Sequence, residues 1–124
     1  MRNLGRGDLG MGFEMKRIGC YGSLKKGFFN HERFGNMEFV RNETIEGVQL
    51  YISKVPFPFA VNDGGSVEVE VYDVSPEHFY MLGRMEKEAG YYPLIINDMT
   101  IWVYAKPPHG SEKLGNTIWK GEHL

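Results

Sequence analysis

Thiol chemistry is nearly absent from this chain: among 124 residues there is one cysteine, Cys20. It has no partner for an internal disulfide, which fits a reducing compartment, and the chain is read as cytoplasmic. Long apolar runs are missing too, none approaching the roughly 18 residues that suggest a membrane span. Met1–Glu14 lacks the continuous apolar segment of a secretory signal. No charge of one sign dominates, since the formal net charge is −2. A broad basic field for nucleic acid or anionic lipid is therefore not expected. The histidines, His31, His78, His109 and His123, have no metal-site spacing. Phosphate-binding glycine loops and a nucleophile-elbow context for Ser23 are likewise absent. No metal site is expected, and neither is a hydrolytic triad.

What is present suits one soluble domain. Hydrophobic residues make up 42% and charged residues 24%, close to globular averages. A chain of this length buries roughly two-thirds of its unfolded surface without needing staples. Met1–Glu14 carries Gly5, Gly7, Gly10 and Gly12 and little apolar surface to offset their ordering cost. It is read as a flexible leader, followed by a single domain over residues 15–124. The oligomeric state is left open.

Arg17–Tyr21 reads as a short strand running into a turn at Gly22-Ser23. Asn30 is placed as the N-cap of a helix from His31 to about Met37. Gly47–Ile52 reads as a strand, and the prolines of Pro56-Phe57-Pro58 exclude a central ladder position before Phe59. Asn62-Asp63-Gly64-Gly65 is a turn. Val67–Val74 alternates apolar and polar residues, the signature of a half-buried strand with its valines inward.

Ser75-Pro76-Glu77 combines an N-cap, a first-position proline and a first-turn acid, and Gly90 is a natural stop. A helix is expected between them. Pro93–Ile96 and Thr100–Tyr104 flank Asn97-Asp98-Met99 as a hairpin. Leu114, Ile118 and Trp119 are the apolar residues able to pin the polar tail. Strands outnumber helices without regular alternation, which indicates an α+β domain with a mixed or barrel-like sheet.

Two places attract chemistry. At about 100° per residue, Phe79, Leu82, Met85 and Ala89 share one arc of the second helix. Glu86 falls on the same arc, seven residues after Phe79, whereas Glu77 and Glu88 point away. A carboxylate on an apolar stripe is either desolvated, with its pKa pushed toward neutrality, or tilts out to water near the helix end. Tyr91 and Tyr92 follow Gly90 and are placed to line a hollow beside it. The second place is Tyr21-Gly22-Ser23-Leu24, which is either a plain turn or a nest of free amides that holds an anion or oxyanion.

Together these pieces resemble the γ-glutamylcyclotransferase-like superfamily, with its AIG2-like and BtrG-like proteins. Tyr21-Gly22-Ser23-Leu24-Lys25-Lys26-Gly27 and Asn30-His31 are similar to its opening Tyr-Gly-(Ser/Thr)-Leu-(Lys/Arg)-x-Gly stretch and following Asn-His. Pro58–Val61, Val69–Val74 and Ile101–Tyr104 resemble later segments. Leu82-Gly83-Arg84-Met85-Glu86 stands where relatives have Leu-Asp-x-(Leu/Phe)-Glu, with Tyr92 matching a later tyrosine.

The resemblance implies a small mixed-strand barrel with flanking helices and a cavity at one end. It further implies an enzyme that cyclises γ-glutamyl amides to 5-oxoproline. Glu86 would be the general acid/base, and Tyr21, Gly22, Ser23, Leu24 and Tyr92 would bind the substrate. Gly83 replaces the usual aspartate and Lys87 the usual glycine, and these departures support the alternative of a non-catalytic small-molecule-binding domain on the same fold.

Overall fold

The computed structural model describes residues 14–22, 37–55 and 58–115. Eight strands and one helix occur among them. They run β1 (Lys16–Cys20), β2 (Glu38–Glu46), β3 (Gln49–Ile52), β4 (Phe59–Val61), β5 (Ser66–Val74), α1 (Pro76–Glu88), β6 (Tyr92–Ile96), β7 (Met99–Val103) and β8 (Glu112–Lys113).

The five-stranded sheet has the order β2-β5-β1-β7-β6, and β4-β3-β8 form a second, three-stranded sheet. The described strands do not close into one barrel. The sheets are joined at a parallel bridge between Val61 and Tyr104, where the Tyr104 N–H donates to the Ala60 carbonyl at 2.8 Å. The α+β class with a mixed sheet is as expected: β1 pairs antiparallel with β5 and parallel with β7.

β1 is the middle strand because its residues permit close approach on both sides. Ile18 and Cys20 are buried. A Cβ on Gly19 would lie 2.7 Å from Ile101 Cγ2 and 2.8 Å from Met99 Sδ, so side chains of the neighbouring β7 close over the glycine. In β5, Val67, Val69 and Val71 are buried as the alternation predicts. The parity then shifts, and Tyr72 and Val74 are buried as well. The shift faces a bulge in β2, where Phe39 pairs with Tyr72 and Arg41 with Val71, leaving Val40 over.

β2 has no counterpart in the sequence reading. It is an edge strand, mostly polar, held by its ladder to β5 rather than by its own apolar pattern. The helix expected over His31–Met37 lies outside the described residues except at Met37, which is not helical and leads into β2. β4 begins at Phe59, as the prolines require.

The hairpin turns on Asn97, at φ 56, and Asp98, while Met99, expected in the turn, already pairs with Ile96. Arg17 forks onto Asp73 at 2.9 and 3.1 Å, and Asp98 bridges Arg17 and Arg41 at 2.7 and 3.1 Å. This network ties the hairpin turn to β1, β2 and β5. Leu114 is buried, and its N–H donates to the Leu50 carbonyl at 2.9 Å, so the tail is pinned where expected. Ile118 and Trp119 lie outside the described residues. Among the described residues no helix is long and apolar enough to cross a membrane.

Candidate active site

Local sequence signals fix both ends of α1 and therefore the place of Glu86. The Ser75 hydroxyl accepts the His78 N–H at 3.1 Å, with Pro76 at the first position and Glu77 in the first turn. At the other end Gly90 takes φ 97, a left-handed conformation that favours glycine. Its N–H donates to the Lys87 carbonyl at 3.0 Å, and the Tyr91 N–H donates to the Glu86 carbonyl at 2.9 Å. This pair of bonds is a Schellman motif, which turns the following residue back onto the helix.

Leu82 is fully buried and Phe79 packs near Trp102, with ring centroids 5.8 Å apart. Glu77 and Glu88 are exposed, as the projection requires. Ala89, expected on the buried arc, is instead exposed, because it is the C-cap and the chain has already left the helical spiral there.

Glu86 is half-buried on the inner side of α1. Among the described residues nothing donates a hydrogen bond to its carboxyl group. Burial lifts its pKa from the ordinary 4.5 to about 7. Two buried tyrosines stand close enough to sense its charge. Tyr21, just past the end of β1, has its phenol pushed well up, first by burial and then by the charges of Tyr91 and Glu86. The phenol of Tyr91 is also pushed up, by burial and then by Glu86.

Neither hydroxyl is spent on the carboxylate. Tyr21 donates to the Trp102 carbonyl at 2.6 Å and Tyr91 to the Pro58 carbonyl at 3.0 Å. A desolvated carboxyl without competing donors retains its capacity to accept a proton from a ligand and return it.

Phe59, Tyr91 and Tyr104 form an aromatic cluster under this site. Tyr91 lies 6.0 Å from Phe59 in a stacked pair and 4.6 Å from Tyr104 edge-on. The Tyr104 hydroxyl donates to the Ala89 carbonyl at 2.8 Å, adding a second bond to the helix end. Gly22 lies against Pro58: a Cβ there would sit 3.2 Å from both Cδ and Cγ of the ring.

Of the residues singled out in the sequence, Tyr21 stands near Glu86 and Gly22 is linked to it through Pro58 and Tyr91. Ser23 and Leu24 lie outside the described residues. Tyr92 is 41% exposed at the start of β6, whereas Tyr91 turns inward beside Glu86. The Schellman geometry is the reason, since it is the second residue beyond the cap that folds back. Sequence reasoning gave no separate role to Pro58 or Tyr104. The proline reads as a ladder breaker and the tyrosine as the end of an apolar run, each within a segment that resembles the family but with no site role attached.

The family model described as gamma-glutamyl cyclotransferase, AIG2-like, matches residues 18–122. Two archaeal proteins, each bearing the name "Putative gamma-glutamylcyclotransferase", are similar over most of the chain. The one from Pyrococcus horikoshii is 33% identical over 98 residues, which is 76% of this chain and 83% of that protein. The one from Methanocaldococcus jannaschii is 26% identical over 119 residues, 88% and 96% respectively.

The crystal structure of the Pyrococcus horikoshii protein superposes with a TM-score of 0.70 at 31% identity, covering 80% of this chain and 85% of that one. A mouse AIG2-like protein shares the fold at 21% identity, with a TM-score of 0.66 over 78% of this chain and 82% of its own. By the extent of the family match and the identity to its archaeal relative, the chain belongs to the gamma-glutamyl cyclotransferase, AIG2-like family.

Proposed function

We propose that this protein is a γ-glutamylcyclotransferase that cleaves a γ-glutamyl peptide or γ-glutamyl amine to 5-oxoproline and a free amine or amino acid. The observation that carries the reading is the Glu86 carboxyl group, raised to about 7 by burial and standing near Tyr21, the residue that follows β1. Membership of the family supports the same class of reaction.

The substrate supplies its own nucleophile. Its α-amine attacks the γ-carbonyl carbon, a carbon–nitrogen bond forms, and a five-membered tetrahedral intermediate results. Glu86, ionised, takes the proton that the attacking nitrogen loses. The protonated carboxyl then delivers it to the departing nitrogen as the original amide bond breaks. One group with a pKa near the working pH serves both steps. Holding the substrate curled, so that amine and carbonyl meet, supplies the proximity term. The backbone at Tyr21, Gly22, Ser23 and Leu24 is assigned to hold the glutamyl group or offset charge on the tetrahedral oxygen. The chemistry requires no metal and no organic cofactor.

The test is release of 5-oxoproline from a panel of γ-glutamyl dipeptides and γ-glutamyl-lysine by wild type and Glu86→Gln. The expected result is product from the wild type and a loss of about 10²–10⁴-fold in the variant at unchanged circular dichroism. Equal rates would remove Glu86 from the mechanism. No product from any substrate, with saturable binding of a small carboxylate ligand, would make the protein a binding domain on the same fold.

A further inference from the structure

We infer that Tyr91 is a positioning residue that sets the Gly22 segment relative to Glu86. The kinetic part of this inference rests on the function proposed above; the structural part does not. Glu86 is carried by α1, whereas Gly22 follows β1, so the two lie far apart along the chain. Tyr91 touches the support of both. Its backbone N–H donates to the Glu86 carbonyl at 2.9 Å. Its hydroxyl, buried, donates to the Pro58 carbonyl at 3.0 Å. Pro58 in turn packs its ring carbons against Gly22.

The chain of contacts is therefore Glu86 backbone, Tyr91, Pro58, Gly22. Each link is stiff for a separate reason. The first is part of the Schellman cap, held by the left-handed Gly90. The second is a buried hydrogen bond whose loss leaves a carbonyl unsatisfied. The third joins a proline, with its fixed φ, to a residue without a side chain. Stacking on Phe59 and edge contact with Tyr104 hold the Tyr91 ring in one rotamer.

A phenylalanine would keep that packing and remove the hydroxyl, breaking the second link together with the hydroxyl's contact to the Tyr21 phenol. Proton transfer and substrate holding would then come apart. The Glu86 carboxyl keeps its place on α1 and its burial, while the Gly22 segment loses its register.

The experiment compares wild type, Tyr91→Phe, Pro58→Ala and the double variant. The alanine keeps the carbonyl but removes the ring that touches Gly22. Expected for each single variant is a KM for the γ-glutamyl substrate raised about tenfold. The kcat should stay within about twofold and the inflection of the pH profile near 7 should persist. The double variant should be no worse than either single one, because both changes break one chain of contacts.

Independently of turnover, the nuclear Overhauser contact between Gly22 Hα and Pro58 Hδ should be present in the wild type and weakened in Tyr91→Phe. An unchanged contact with an unchanged KM would overturn the inference. So would a fall in kcat at constant KM, which is the mark of lost folded protein alone. If the wild type forms no 5-oxoproline, the functional reading fails, and the Gly22–Pro58 contact in Tyr91→Phe still decides whether Tyr91 positions that segment.

Discussion

The Tyr91 N–H donates to the carbonyl of Glu86, so the acid and the tyrosine beside it share one hydrogen bond of the helix cap. The carboxyl group and its wall are therefore placed by the way α1 stops. A change at the stop should disturb the site even though it touches neither side chain.

Gly90→Ala is the direct probe of that stop. Alanine at φ 97 is strained, and its Cβ would sit 2.9 Å from the Tyr104 hydroxyl. The variant should lose about 1–3 kcal/mol in urea unfolding. Its 5-oxoproline release should fall by more than its loss of folded protein accounts for.

Much of this arrangement was legible beforehand, and the reason is local. Ser75, Pro76 and Gly90 define α1 through capping chemistry that operates within a few residues, and the valines of β5 announce their period directly. Glu86 could be placed on the inner arc because a regular helix carries phase over seven residues. Beyond Gly90 that phase is lost. Which of Tyr91 and Tyr92 turns inward depends on a left-handed residue, and the sequence pattern placed both beside Glu86. β2 was illegible for a different reason. Its few apolar residues, Phe39, Val40 and Ile45, follow no single period because of the bulge, and pairing with β5 makes the strand. Whether strands close into a barrel is decided by long-range pairing, which no local pattern encodes.

A stability consequence follows from the raised pKa of Glu86. Between the ordinary 4.5 and about 7 the folded chain holds a proton that the unfolded chain has released. Stability from this group is therefore greatest below pH 4.5 and declines as the pH rises to about 7. Glu86→Gln removes the decline. With the carboxyl only half-buried, the variant should gain on the order of 2 kcal/mol over wild type at pH 8, and close to nothing at pH 4. Urea unfolding at the two pH values checks this.

Gly19 tests the middle of the large sheet. Its α-carbon faces Ile101 and Met99 too closely for any added carbon. Gly19→Ala should cost about 1–3 kcal/mol by overpacking, read as a lower urea midpoint at constant slope. An unchanged midpoint would mean that β1 and β7 separate more readily than their packing indicates.

Glu86 has to exchange its proton near neutral pH for this chemistry, and its carboxyl ¹³C resonance followed from pH 3 to 9 measures that directly. A single titration with its midpoint at about 7, matched by an inflection in kcat/KM for 5-oxoproline release, is the predicted result. A midpoint near 4.5, the value of a glutamate in open water, would contradict it.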